Sequence, residues 1–167
     1  MKKKVYEIDE FSKSCVKELI GVNSQLIYSD RFIKQFGDSG IEGSYFIIAL
    51  DKGVGVKISS DWFEDEKTLD DYCLVSAEKV NFSVAENSSI FSFESQSELC
   101  EISVLSKELS HGDIVNFCDF GLLIQRKDKK KVCIICGESA FRNVVLVDDV
   151  NQINGLIDSD QITVRPI

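Results

Sequence analysis

The sequence has very few of the residues on which much enzyme chemistry depends. Among 167 residues there are one His, one Pro, one Met and one Trp. A single His leaves little basis for a His-rich metal site or for two histidines acting as acid and base. The chain also has no phosphate-binding Gly-rich loop, no Gly-x-Ser-x-Gly and no His-Glu-x-x-His. These absences favour a protein that is not an enzyme and that uses no cofactor and no metal.

Long apolar runs are missing too. No stretch approaches the roughly 20 apolar residues that a membrane-spanning helix needs. Residues 1–7 are basic at first but lack the apolar core of a secretory signal. The length and the hydrophobic content of 44% suit one globular domain, residues 1–167. We therefore expect a single-domain cytoplasmic protein that makes no membrane contact.

Acidic residues dominate the charge. The chain has 28 Asp and Glu against 19 Lys and Arg, which gives a net charge of −9. Such a domain repels nucleic acid and anionic membranes, and it attracts basic partners. Residues 126–131 are basic and can contact phosphate, but no aromatic residue is interleaved with them for stacking on bases. We interpret this run as a solvated hairpin tip and predict no nucleic-acid binding.

Six cysteines lie mostly in apolar, strand-like runs, where Cys behaves as a small hydrophobic residue. They are Cys15, Cys73, Cys100, Cys118, Cys133 and Cys136. We predict reduced thiols in a reducing compartment. Cys133 and Cys136 form a Cys-x-x-Cys-Gly sequence, as in half of a zinc ribbon or in a redox motif. No second pair has this spacing, and positions i and i+3 of a strand point to opposite faces, so we predict no metal site.

The spacing of apolar residues changes along the chain. Steps of three and four predict a helix over residues 9–20, and Ser29-Asp30 can cap a second helix over residues 31–36. Shorter apolar runs and alternating residues then predict strands. These strands cover residues 45–50, 54–58, 80–84, 91–93, 102–105, 114–117, 120–125, 132–136, 144–147 and 162–164. The predicted fold class is α+β, with N-terminal helices followed by a mainly antiparallel sheet or partial barrel.

One segment combines acidic residues with aromatic rings. Residues 61–71 contain six acidic residues and one Lys, and Tyr72 follows. Asp61 and Glu64 match a capping box, which predicts a short helix with acidic residues in its first turn. Carboxylates steer a basic partner towards a surface, and aromatic side chains often anchor an interface. The predicted partner-binding residues are Asp61, Trp62, Phe63, Glu64, Asp65, Glu66, Asp70, Asp71 and Tyr72.

An acidic domain with this segment, few catalytic residues and many Lys and Ile residues resembles the immunity proteins that bacteria keep against their own secreted toxins, including the contact-dependent growth-inhibition type. The resemblance implies a non-catalytic protein that neutralises a basic toxin domain, with a nuclease as the expected toxin. Its carboxylates would imitate nucleic acid, and an unpaired strand edge could also accept a partner hairpin. The alternatives are a small enzyme with a Cys/His-centred site at Cys133, Cys136 or His111, and a structural or regulatory subunit.

Overall fold

A computed structural model of the chain describes residues 2–30, 34–36, 40–51, 53–64, 71–83, 88–137 and 143–167. Within these residues the chain forms twelve strands and two helices. The strands are β1 (Lys2–Tyr6), β2 (Asn23–Ser29), β3 (Lys34–Phe36), β4 (Gly40–Gly43), β5 (Phe46–Asp51), β6 (Val54–Glu64), β7 (Asp71–Asn81), β8 (Ser88–His111), β9 (Ile114–Arg126), β10 (Lys131–Cys136), β11 (Val144–Val147) and β12 (Ile162–Pro166). The helices are α1 (Glu10–Lys17) and α2 (Val150–Ile157). Neither of these described helices has the length and apolar character to cross a membrane.

The long strand β8 belongs to two sheet layers. Its first half pairs with β2, and the first layer continues through β5 and β6 to β7. Its second half pairs with β9, and the second layer continues through β10, β11 and β4 to β3. Strand β12 pairs with β8, and β1 pairs with β9. Among the described pairings only that of β1 with β9 is parallel, so the sheet is mainly antiparallel.

Buried apolar side chains fill the space between the two layers. Phe46 and Ile58 of the first layer and Leu122 of the second belong to one core cluster. Because side chains alternate along a strand, the neighbouring Leu123 faces the other side of the second layer. There it packs in a second cluster with Ile153 of α2. The second layer is therefore covered by the first layer on one face and by α2 on the other.

Helix α1 confirms the helix predicted over residues 9–20, although it ends three residues earlier, at Lys17. Asp9 is the N-cap, and its carboxylate accepts a hydrogen bond from the Ser12 amide at 2.7 Å. Cys15 and Val16 bury the apolar side of the helix. The Ser12 hydroxyl accepts a hydrogen bond from the Ala77 amide of β7 at 3.0 Å. Helix α1 thus covers part of the edge of the first layer, where β7 would otherwise lack a partner.

The predicted fold class is wrong. The protein is mostly sheet, and the strand β1 precedes the first helix. The second predicted helix, over residues 31–36, is wrong where the structure describes it, because Lys34–Phe36 form β3. Residues 31–33 lie outside the described residues. Antiparallel pairing of β3 with β4 outweighs the local capping pattern.

Candidate functional site

The acidic and aromatic segment forms the end of a β-hairpin. Strands β6 and β7 pair over eleven positions, from Val54 with Asn81 to Glu64 with Asp71. The short helix predicted from Asp61 is therefore wrong where the structure describes it, since Asp61–Glu64 continue β6. Cross-strand partners and strand-favouring aromatic residues outweigh the capping box. Three predicted partner-binding residues lie outside the described residues: Asp65, Glu66 and Asp70.

The described carboxylates at this end of the hairpin are accessible. Asp61 and Glu64 are both exposed. Because they are three positions apart in a strand, they project from opposite faces of the hairpin. Asp71 lies opposite Glu64 in the register, at the first position of β7. The structure therefore presents negative charge on both faces of a two-stranded arm.

Aromatic rings support this arm. Phe63 and Tyr72 lie opposite each other with ring centroids 5.5 Å apart, and Tyr6 of β1 lies 4.7 Å from Phe63 and 5.4 Å from Tyr72. Tyr72 is only 4% exposed, and its hydroxyl accepts a hydrogen bond from Asn116 Nδ2 of β9 at 2.5 Å. Tyr72 thus anchors the arm to the second layer, while Phe63 and Trp62 are half-buried. The role of all three in partner binding stays a prediction.

The two cysteines of the Cys-x-x-Cys-Gly sequence lie on opposite faces of β10. All six cysteines are free, and Cys133 and Cys136 belong to clusters on opposite sides of the second layer, as expected for positions i and i+3 of a strand. Burial raises the pKa of the Cys133 thiol, and likewise that of Cys136, to about 12. Both groups therefore stay protonated at neutral pH, whereas the thiolate is the nucleophile and metal ligand. The side chain of His111 lies outside the described residues.

Metal-ligating side chains do not converge in the part of the chain that the structure describes. No group of three or more His, Cys, Asp or Glu residues there is placed to hold an ion. The acidic residues near the C-terminus instead flank α2. Asp149 is its N-cap and accepts a hydrogen bond from the Gln152 amide at 2.8 Å, and Asp158 is its C-cap.

Two described strand edges are poorly suited to pairing with a partner strand. The outer edge of β7 is partly occupied by α1 through the bond from Ala77 to Ser12. Strand β12 ends in Pro166, which has no amide hydrogen, and the Ile162 amide is already bonded to the Ser159 carbonyl at 3.0 Å. Such features discourage edge-to-edge pairing. They favour contact through side chains over strand addition at these two edges.

A cleft of about 580 Å³ lies between β8, the turn from β9 to β10, and the start of α2. We call it the β8–α2 cleft. Its lining includes Phe91, Phe93, Lys129, Lys131, Val150 and Ile153. The sequence alone does not indicate this site, because its lysines have no aromatic neighbour in sequence and β8 supplies the rings from more than 30 positions away. The alternation of Phe91 and Phe93 with polar residues predicts a strand, but the neighbouring sequence does not indicate which elements these rings face in the fold.

No family model matches the chain, and neither a curated protein nor a solved structure does.

Proposed function

We propose that the protein is a non-catalytic acidic binding protein that neutralises a basic protein partner. In this proposal it acts as an immunity protein against a toxin domain, with a nuclease as the expected toxin. The contact surface is the end of the β6–β7 hairpin. The observation that carries the proposal is the exposure of Asp61 and Glu64 on a strand that is paired along its whole length.

Rigid presentation supports this use of the hairpin. The Tyr6, Phe63 and Tyr72 rings pack together beside the acidic positions, and the bond from Asn116 fixes Tyr72. A surface that is already ordered loses little conformational entropy on binding. More of the interaction energy with a partner is then available as affinity.

Charge supports a basic partner. The chain carries a net charge of −9, and neither Asp61 nor Glu64 forms an ion pair with another described residue. Complementary charge raises the association rate and is screened by salt over about 10 Å at 0.1 M. A toxin nuclease needs a basic surface for its own substrate, and that surface is the kind this hairpin attracts.

The thiols bear on the compartment and on the alternative function. Six free cysteines suit a reducing compartment, and we infer that the protein acts in the cytoplasm. A Cys-centred enzyme site is less well supported, because Cys133 and Cys136 are buried and point to opposite sides of a sheet.

The test is capture of the partner from the native cell with tagged protein, followed by mass spectrometry. The wild-type protein should capture one basic partner in stoichiometric amount, and high salt should release that partner. Charge reversal at the hairpin, Asp61→Lys with Glu64→Lys, should abolish this capture. The matched control, Asp158→Lys with Asp160→Lys, changes the net charge equally near α2 and should keep the partner. Retention of the same partner by the hairpin variant, or the absence of any basic partner, would contradict the proposal.

The captured partner also allows the inhibitory role to be measured. The partner is purified away under high salt and assayed for cleavage of DNA and RNA. Equimolar wild-type protein should suppress that cleavage, and the hairpin variant should not. A partner whose activity is unchanged by wild-type protein would show binding without neutralisation and would overturn the immunity role.

A further inference from the structure

We propose that the β8–α2 cleft binds a small organic phosphate that carries an aromatic body, with nucleoside monophosphates as the class to test. This site is separate from the β6–β7 hairpin and does not depend on the function proposed above. The inference rests on the juxtaposition of an aromatic floor, two lysines without ion pairs, a buried arginine and the start of a helix.

The cleft has the size and the apolar surface of a small-molecule site. Its volume of about 580 Å³ falls within the roughly 300–1,000 Å³ typical of ligand pockets. Phe91 and Phe93 meet edge to face with centroids 4.8 Å apart, and Ile153 of α2 contributes to the lining. Phe93 is 5% exposed and belongs to the core, whereas Phe91 is half-buried. Phe91 therefore offers the ring on which a planar ligand can stack.

Two lysines in the lining are available for an anion. Lys130 is paired with Glu94 at 2.5 Å. Lys129 and Lys131 have no ion pair with any described residue. Three carboxylates also line the cleft: Glu94 is paired with Lys130 and Asp128 with Arg126, so among the described residues Asp148 is the acid without an ion pair that a ligand would meet. The two unpaired ammonium groups outnumber it and can bind phosphate oxygens as point charges.

Arg126 lies directly behind the lining. Its side chain is fully buried, with its guanidinium 3.8 Å from the centroid of the Phe93 ring. Its Nη2 contacts Asp128 at 3.1 Å and donates to the Ser95 carbonyl. Its Nε and Nη1 have no hydrogen-bond partner among the described residues. A buried guanidinium with unsatisfied donors adds positive potential where the dielectric constant is low.

The start of α2 adds to this potential. Val150, the first residue of α2, lines the cleft and is 65% exposed. The N-cap Asp149 accepts a hydrogen bond from the Gln152 amide, the first turn itself has no acidic residue, and the remaining amides of that turn add partial positive charge beside the cleft. In a chain with a net charge of −9, several positive contributions therefore meet beside an aromatic floor. The positive charge suits a phosphate group and the aromatic floor suits a nucleobase, so the cleft fits a nucleotide better than a neutral or cationic ligand.

Isothermal titration calorimetry with three probes tests the ligand class. Adenosine monophosphate should bind the full chain, and adenosine and inorganic phosphate should each bind at least about tenfold more weakly, because each lacks one half of the recognition. Phosphate binding as tightly as the nucleotide would reduce the cleft to an adventitious anion site and would overturn the proposal. Absence of heat with every probe at millimolar concentration would overturn it as well.

Matched variants locate the site. Val150→Asp places an acid in the first turn of α2, where the helix dipole favours it, and should lower nucleotide affinity at least about tenfold without lowering the melting temperature. Phe11→Asp makes the same kind of change in the first turn of α1, at a side chain that is 66% exposed, and should leave nucleotide affinity unchanged. If Val150→Asp and Phe11→Asp bound the nucleotide with equal affinity, the nucleotide would bind outside the β8–α2 cleft.

A second pair of variants tests the lysines. Lys129→Gln with Lys131→Gln should weaken nucleotide binding, and Lys127→Gln with Lys17→Gln should not, although both pairs change the net charge equally. Lys127 belongs to the same turn but pairs with Glu98 outside the lining. Equal weakening by both pairs would show a general effect of charge and would contradict a specific site.

Discussion

Asp119 shows how one buried charge can hold distant segments together. It is 1% exposed, and its carboxylate accepts hydrogen bonds from the Ile8 amide at 3.0 Å, the Ser106 hydroxyl at 2.5 Å and Arg165 Nη2 at 2.6 Å. These donors belong to the connection between β1 and α1, to β8 and to β12. Because a buried carboxylate without partners is strongly unfavourable, the three donors must be in place together.

Asp119→Asn is therefore expected to lower the free energy of unfolding by about 2–3 kcal/mol. The amide keeps the shape but removes the negative charge and turns a hydrogen-bond donor towards other donors. Urea denaturation of the purified chain measures this loss. Glu7→Gln is the control: Glu7 lies 3.3 Å from the same Arg165, but it is 49% exposed, so we expect a change within about 0.5 kcal/mol. Equal losses in the two variants would show that burial of Asp119 is unimportant.

At the scale of elements, α1 takes the place of a neighbouring strand at the edge of β7. Ser12→Ala would leave the buried Ala77 amide without its acceptor, which costs about 1–3 kcal/mol of unfolding free energy. We also expect faster hydrogen exchange at that amide, measured by nuclear magnetic resonance. Ser14→Ala, on the exposed side of the same helix, should change neither quantity. Unchanged exchange in Ser12→Ala would mean that α1 does not protect this edge.

The elements that could be predicted are those whose determinants lie close together in the sequence. The first turn of α1 has its cap and its apolar spacing within a few residues, so local sequence is sufficient to predict it. The continuation of β6 through Asp61–Glu64 depends on β7, which lies across the hairpin, and the local capping box indicated a helix instead. Short predicted strands also merged into β8 and β9, because pairing with different neighbours along their length keeps each strand continuous.

For the candidate sites, the charge of the segment could be predicted from the sequence, whereas the burial of its side chains could not. Asp61 and Glu64 are exposed as a partner surface requires, yet Tyr72, with the same predicted role, is buried against Asn116. Nothing within residues 61–72 distinguishes these outcomes, since the position of β9 decides them. The β8–α2 cleft could not be predicted from the sequence for the same reason, because its lining comes from three elements that only the folded sheet brings together.

At the scale of the whole molecule, buried thiols on both sides of the second layer connect stability to pH. Burial raises the pKa of Cys118, Cys133 and Cys136 from 9.0 to about 12 in each case. Between these values the unfolded chain releases thiol protons and the folded chain keeps them. The contribution of each thiol is thus complete below pH 9 and is lost as the pH rises towards 12.

Stability is therefore expected to decrease from pH 8 to pH 10, by about 1 kcal/mol for each buried thiol. Urea denaturation at the two pH values measures the decrease, and Cys133→Ala should make it smaller by the share of one thiol. Val145→Ala creates a cavity in the same cluster but removes no titrating group, so it should lower stability equally at both pH values. Taking the difference between pH values within each variant cancels the cost of its cavity. A decrease in Cys133→Ala as large as in the wild type would mean that this thiol ionises as readily in the folded chain as in the unfolded one, and that the second layer admits water where the structure buries it.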